Sequence, residues 1–295
     1  MVLGSALYGG ITVGGRVLAQ RGFSLLEISI TGGLFGALFL APFLWRNPAW
    51  RIQRRDWTLF IAFGVMGTLL QITQFLSVVL GVPIAILALL LYTQPIWTVL
   101  LGRLWLAEPI TWRKLAALVL AAIGLVVLLA PTGSSGEHSI VGLASAAIAG
   151  LMISLWVIFG RMSALRGNHP VTTTFGYQAS TTVGLLAVGG AMMFIAPAAP
   201  MWRLEPTTFA LNWGVVVVYT LAANVAPNLL VMWGMARVEA SIAGVLLLLE
   251  PLAAAALAWM LFGEEVGGSV WLGGAFILGA NAVLVVRRRS LAAGG

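Results

Sequence analysis

Cysteine is absent from this chain of 295 residues, so neither disulfides nor thiolate metal sites are available, and the redox compartment leaves no mark on it. Charge is scarce as well. Only 8% of the residues are Asp, Glu, Lys or Arg, against roughly 25% in an average soluble domain. With 60% apolar residues and a mean hydropathy of +1.02, the chain cannot cover itself with a water-soluble surface. Histidine occurs twice, at His138 and His169, both in expected loops on opposite membrane sides. No nucleophile and base pair is visible, so an enzyme is not expected, nor a cofactor or a metal. No Gly-rich loop leads from a strand into a Lys-Ser or Lys-Thr pair, which leaves ATP without a site.

What is present is long apolar sequence. From Trp57 to Gly102 no Asp, Glu, Lys, Arg or His occurs, room for two spans of about 20 residues, with a reversal at Gly81 and Pro83. Lipid offers a bare backbone no partners, so spanning elements are helices or closed barrels, and these runs lack the strict alternation of barrel strands. The expectation is an all-α integral membrane protein. Apolar runs between breakers give ten transmembrane helices, at residues 2–20, 23–45, 57–81, 83–106, 112–130, 140–162, 171–196, 209–236, 241–263 and 270–286. The amino terminus lacks a basic region and a cleavage site, and reads as a retained first span.

Basic residues set the orientation, because cytoplasmic loops keep Lys and Arg. With Arg287, Arg288 and Arg289 inside, both termini are cytoplasmic, and Arg46, Arg51, Arg54, Arg55, Arg103, Arg113, Lys114, Arg161, Arg166 and Arg237 fall on the same side. Arg16, Arg21 and Arg203 face outward. The net charge of +7 and the pI near 11 are then mostly topology, with some attraction to anionic headgroups, and not a sign of nucleic acid.

The sequence repeats itself. Gly15-Arg16-x-x-Ala19-x-Arg21-Gly22 recurs 145 positions on as Gly160-Arg161-x-x-Ala164-x-Arg166-Gly167. A shift of 156 joins Trp57 to Trp213, Pro95 to Pro251 and Glu108 to Glu264. Five helices per half is an odd number, so the second copy inserts upside down, the inverted-repeat architecture of secondary transporters with a central cavity between the halves. The expected division is residues 1–131, residues 140–289 and a cytoplasmic tail at 290–295.

Several residues are out of place in lipid. Glu250 stands near the middle of its span, where an ionised carboxylate costs about 2.5–3.5 kcal/mol. It is either a proton or ammonium site or a partner for backbone loosened by Pro251; its first-half equivalent is Gln94. Glu27, early in the second span, reads as interfacial. Pro95 and Pro251 each remove a mid-helix donor and free a carbonyl, as a binding site or as a kink. Thr220, Asn224 and Asn228 share one face, matched on the third helix by Thr68 and Ile72 with Gln71 and Phe75 beside them; the two stripes either line a cavity or bond between helices. Tyr8, Tyr92, Trp97, Trp156, Tyr177, Tyr219 and Trp233 lie within spans, where a substrate ring can stack. Trp45, Trp50, Trp57, Trp105, Trp112, Trp202 and Trp271 sit near span ends as an interfacial belt.

Tyr92-Thr93-Gln94-Pro95 with Ala107-Glu108, and Glu250-Pro251 with Gly263-Glu264, together with the repeat and the helix count, resemble the drug/metabolite transporter superfamily in its ten-helix EamA-type branch. Tyr8-Gly9 stands where that family often has Trp-Gly, and Ile153 takes the equivalent place in the second half, with Trp156 a turn further on. The resemblance implies an inner-membrane exporter of small metabolites, with the bacterial YddG-like group of aromatic amino acid exporters the nearest likeness, and the fifth and tenth helices at the periphery. The expected function is alternating-access export of amino acids, secondary or facilitative. The alternative is proton-coupled efflux of lipophilic cations through Glu250. Partners are then a small-molecule substrate and the lipid bilayer, with Tyr8, Gln71, Phe75, Tyr92, Gln94, Trp156, Thr220, Asn224, Asn228 and Glu250 as candidate contacts.

Overall fold

A computed structural model describes residues 1–128, 139–195, 202–263 and 267–285. Glu264, His138 and the Arg287 to Arg289 tail lie outside the described residues. Among those described there is no strand, as the unbroken apolar runs require. The long helical stretches are α1 (Val2–Gln20), α2 (Leu25–Arg46), α3 (Trp57–Val79), α4 (Ile84–Leu91 and Gln94–Leu106), α5 (Trp112–Leu128), α6 (Ile140–Leu165), α7 (Pro170–Ile195), α8 (Trp213–Met235), α9 (Ala240–Leu246 and Leu249–Phe262) and α10 (Gly268–Val285). Eight of them are long and apolar enough to cross a bilayer; α5, with 17 described residues, and α10 are shorter apolar helices.

Local sequence sets the ends. Ser24 and Glu27 form a capping box at the start of α2: Ser24 Oγ accepts from Glu27 N at 3.1 Å, and Glu27 Oε2 accepts from Ser24 N at 2.7 Å. At the ends of α4 and α9 the backbone turns left-handed, at Ala107 (φ 52°) and Gly263 (φ 67°). Gly22 (φ 86°) and Gly167 (φ 82°) do the same after α1 and α6. The span expected at 209–236 is divided, a short helix at Pro206–Leu211 preceding α8, because Asn212 interrupts it.

Contacts between loops sort the helix ends into two layers. At one end, Arg166 pairs with Asp56 at 3.2 Å, Thr172 Oγ1 donates to the Trp50 carbonyl at 2.5 Å, Arg161 donates to the Met235 carbonyl at 2.5 Å, and Lys114 pairs with Glu239. At the other, Ser24 Oγ donates to the Arg203 carbonyl at 2.6 Å, and Arg21 donates to Asn212 Oδ1 at 3.1 Å. The helices therefore run alternately up and down between an arginine-rich end and an arginine-poor end. Glu27, expected as an interfacial group, is fully buried there, its Oε1 accepting from Glu205 N at 2.6 Å. That bond tethers the connection between α7 and α8.

The main packing contacts close a ring in the order α1, α8, α2, α7, α3, α6, α4, α9 and back to α1. Small residues set the closest approaches: a Cβ on Gly9 of α1 would stand 2.5 Å from the Ala254 nitrogen of α9. α5 and α10 lie beside the ring, packed on each other and on α9 through Ala117, Ala121, Val245, Leu248, Ile277 and Ala280.

Candidate functional site

Three helices are interrupted near mid-length, and the candidates Tyr8, Tyr92, Gln94 and Glu250 lie at or beside the interruptions. α1 breaks at Tyr8, α4 at Tyr92 and Thr93, and α9 at Leu247 and Leu248. The breaks in α4 and α9 fall just ahead of Pro95 and Pro251, whose rings clash with the carbonyl four residues back and whose nitrogens cannot donate. Leu248 N turns to the Val245 carbonyl at 3.1 Å, and the Gly244 carbonyl is instead taken by Gln94 Nε2 at 2.6 Å.

Gln94 is therefore committed to the fold. It is 1% exposed, and Thr98 Oγ1 lies 3.0 Å from its Oε1 and 3.1 Å from Ser154 Oγ, locking α4, α6 and α9 together. The equivalent residue, Glu250, has no such commitment. Its carboxyl lies within hydrogen-bonding reach of the Tyr92 hydroxyl and within electrostatic range of Tyr8, and among the described residues it has no cationic partner. It retains partial exposure in the middle of the bundle.

An aromatic wall adjoins this carboxyl. Tyr8 meets Trp156 of α6 edge to face at 5.9 Å, and Trp156 meets Tyr177 of α7 at 6.0 Å. Tyr177 in turn lies 5.5 Å from Phe63 of α3. The Tyr8 hydroxyl and Trp156 Nε1 are buried without a protein partner among the described residues. Buried polar groups are normally satisfied, so each stands ready for a ligand or water. A carboxylate without a cation among the described residues, a free hydroxyl, a free N–H and edge-to-face rings suit a small molecule with a cationic head and an apolar body.

The other expected contacts are placed differently. Asn224 lies on α8 against Gly32 of α2, where a Cβ would meet its amide, and its Nδ2 donates to the Tyr219 carbonyl at 3.4 Å. That five-residue reach follows from the π-helical stretch Tyr219–Val225, which also disturbs the expected single face. Asn228 is buried and donates to the Asn224 carbonyl at 2.8 Å; Thr220 is buried with its hydroxyl unpartnered. Gln71 and Phe75 are half-buried on α3, which packs on α6 and α7 and not chiefly on α8. Trp97 and Trp233, expected within spans where a substrate ring can stack, lie on the outer surface of their helices at 38% and 52% exposure, and Trp233 carries Arg237 3.6 Å over its ring. Tyr219 packs on Gly14 and among Leu18 and Phe23, away from Glu250.

In the sequence Glu108 stands out only as a marker of the repeat and of the family motif, with no contact assigned to it. It is 7% exposed, and Oε1 accepts from Ala240 N at 2.6 Å, while Oε2 accepts from Ser241 N at 3.1 Å and from Ser241 Oγ at 2.6 Å. Its position just past the α4 terminus was visible, but its partner on α9 was not. Gln178 of α7 was also missed: it is 3% exposed, lies against Gly36, and both amide atoms are unpartnered.

Comparison with known proteins agrees with this architecture. The EamA-like transporter family matches residues 1–130 and 140–286. A protein of Archaeoglobus fulgidus described as an uncharacterized transporter is 28% identical over 279 residues, which cover 94% of this chain and 92% of that protein. A solved crystal structure superposes with a TM-score of 0.76 at 21% identity, over 98% of this chain and 96% of the other, a likeness of fold. The chain belongs to the EamA-like transporter family, a multi-pass membrane transporter of the drug/metabolite transporter superfamily.

Proposed function

We propose that this transporter exports small metabolites, amino acids above all, aromatic and hydrophobic ones included, by alternating access between two inverted five-helix repeats, 1–131 and 140–289. The likeness to YddG-like exporters belongs to this reading. The observation that carries it is the Glu250 carboxyl, which has no cationic partner among the described residues and lies near Tyr92 and Tyr8, with Trp156 against Tyr8. A substrate ammonium neutralises the carboxylate, and an apolar or aromatic side chain lies on the Tyr8, Trp156 and Tyr177 rings.

Inversion has its own support. Gly22 lies at the arginine-poor end and its equivalent, Gly167, at the arginine-rich end; Ala107 and Gly263 are exchanged in the same way. Replacing every helix in the ring by its repeat partner, α1 by α6 and so on, returns the same ring traversed in the opposite sense. A twofold axis in the membrane plane does this. The family matches in two segments divided near the same place. On this reading α5 and α10 complete ten spans, and the arginine-rich end faces the cytoplasm, with both termini.

The same carboxyl supports a second reading, proton-coupled efflux of lipophilic cations, because no cation among the described residues neutralises it. Uptake and counterflow of a labelled amino acid panel in proteoliposomes, with and without a pH gradient, separates the two. Saturable counterflow of aromatic and branched amino acids, with KM raised at least tenfold in Glu250→Gln, is the expected result. No amino acid flux, with pH-driven movement of lipophilic cations abolished in Glu250→Gln, replaces the amino acid reading by the second.

A further inference from the structure

Away from the central cluster, a cavity of about 460 Å³ opens at the arginine-rich end between α2, the connection to α3, and α7. Ala41, Leu44, Ile52 and Phe175 give it apolar walls, and Trp45 and Arg51 form its rim. We propose that this groove is a binding site for one anionic phospholipid, its phosphate on Arg51 and one acyl chain along α2.

Three observations converge on that occupant. The first is the division of polarity, since a guanidinium at the membrane interface stands above an otherwise apolar trough. Among the described residues Arg51 makes one hydrogen bond, to the Trp45 carbonyl at 3.2 Å, and a guanidinium carries five N–H donors in a fork suited to phosphate. The second is local charge. The connection between α2 and α3 carries Arg51 and Arg54 just after Arg46, and neither Arg46 nor Arg54 has a partner among the described residues. Its one acid, Asp56, is fully buried and paired with Arg166 and Arg55. An uncompensated positive field at the headgroup level attracts anionic lipid by about 1 kcal/mol per basic residue, about fivefold in affinity.

The third is the direction of the trough. Leu38, Ala41 and Trp45 stand at i, i+3 and i+7 on α2, a stripe about 10 Å long running from the headgroup level towards mid-membrane. Leu38 is 60% exposed and continues the apolar surface beyond the groove. A free phosphate has no use for such walls; an acyl chain fills them.

The test uses the full chain purified in detergent, with phosphatidylglycerol or phosphatidylcholine of identical acyl chains added and retained lipid counted by native mass spectrometry. The wild type is expected to retain one phosphatidylglycerol in preference to phosphatidylcholine. Arg51→Ala lowers that retention about fivefold and leaves phosphatidylcholine unchanged. Ala41→Phe, which fills the trough without altering charge, lowers it as well, with Ala41→Leu as the milder substitution if the phenylalanine variant does not fold. Millimolar inorganic phosphate does not displace the lipid. Retention unaffected by either substitution overturns the proposal. Loss in Arg51→Ala with full retention in the Ala41 variant reduces the effect to surface charge and removes the groove, and displacement by inorganic phosphate makes this a free-anion site.

Discussion

Glu108 offers the sharpest test of how the two halves hold together. The left-handed turn at Ala107 aims its carboxylate across the bundle at the start of α9, where the first backbone N–H groups have no partners within their own helix. It accepts from Ala240 N, Ser241 N and Ser241 Oγ, and it places a negative charge at a helix N-terminus. Hydrogen bonds to a charged group contribute about 1.5–3 kcal/mol each, but water reaches part of a vacated helix end, so Glu108→Ala is expected to destabilise by about 3–5 kcal/mol. Glu108→Gln keeps the shape but turns an amide NH2 towards donors, and should lose about half as much. Ser241→Ala removes one bond, about 1 kcal/mol. At roughly 2–4 °C per kcal/mol for a large domain, heating with tryptophan fluorescence as the readout should place Glu108→Ala roughly 6–20 °C below wild type, Glu108→Gln between them, and the double variant close to Glu108→Ala alone. If Glu108→Ala melts within 1–2 °C of wild type, on the order of the smallest shift that scale resolves, or if its loss adds fully to that of Ser241→Ala, the carboxylate does not hold α9 and the reasoning fails.

Three further outcomes follow from particular geometries. Ala107→Gly relieves a positive φ that costs alanine about 1–2 kcal/mol, partly offset by a looser unfolded chain, so a net gain of about 0.5–1 kcal/mol is expected; Gly263→Ala, at the equivalent position, should lose about 1 kcal/mol, both read as melting temperatures. Gly9→Ala drives a Cβ into the Ala253 and Ala254 backbone and should lose about 1–3 kcal/mol and most transport, whereas Gly15→Ala, whose nearest neighbour is an Ile28 methyl at 3.7 Å, should be neutral or stabilising. Desolvation lowers the pKa of His169, and Val171 N donates to its Nδ1 at 3.3 Å, a bond that only the unprotonated nitrogen accepts. The folded state thus binds its proton less readily than the unfolded state, so stability is complete above the ordinary value near 6.5 and declines as pH falls through it. A melting series from pH 7.5 to 5.5 (roughly one unit either side of that ordinary value) should show the decline in wild type and a flatter profile in His169→Asn.

The helical architecture was readable because lipid enforces it: long uncharged runs, Gly and Pro at reversals, and arginines at alternate ends leave little freedom. What hydropathy does not encode is which side of an apolar helix meets lipid and which meets protein, since both are apolar. Trp97 and Trp156 therefore looked alike, and one is on the surface while the other lies at the centre. The widened stretch in α8 had a cue in Pro227, whose ring opposes the carbonyl of Ala223 inside Tyr219–Val225, but proline alone does not distinguish a kink from a π-helical turn. Glu27 and Glu108 were legible as polar residues at helix ends. Their burial depended on partners 178 and 132 residues away, at Glu205 and Ala240.

The difference between Gln94 and Glu250 links fold to function. The two are equivalent in the proposed repeat, and each reaches across to the break in the other's half: Gln94 to the Gly244 carbonyl on α9, Glu250 to Tyr92 on α4. An amide suits the first task, because it donates to the loosened carbonyl while its oxygen lies within reach of Thr98, and it carries no charge to desolvate. A carboxylate there would face a carbonyl with no proton to offer. Glu250 faces a hydroxyl that can turn away when a ligand cation arrives, so its charge is available at little structural cost. Glutamine at both positions would preserve the crossing and lose the charge; glutamate at both would put an unpaired carboxylate against the Gly244 carbonyl and loosen α9. On the proposed reading, one amide and one acid is therefore the combination that lets a near-symmetric frame hold itself closed at one break and bind at the other.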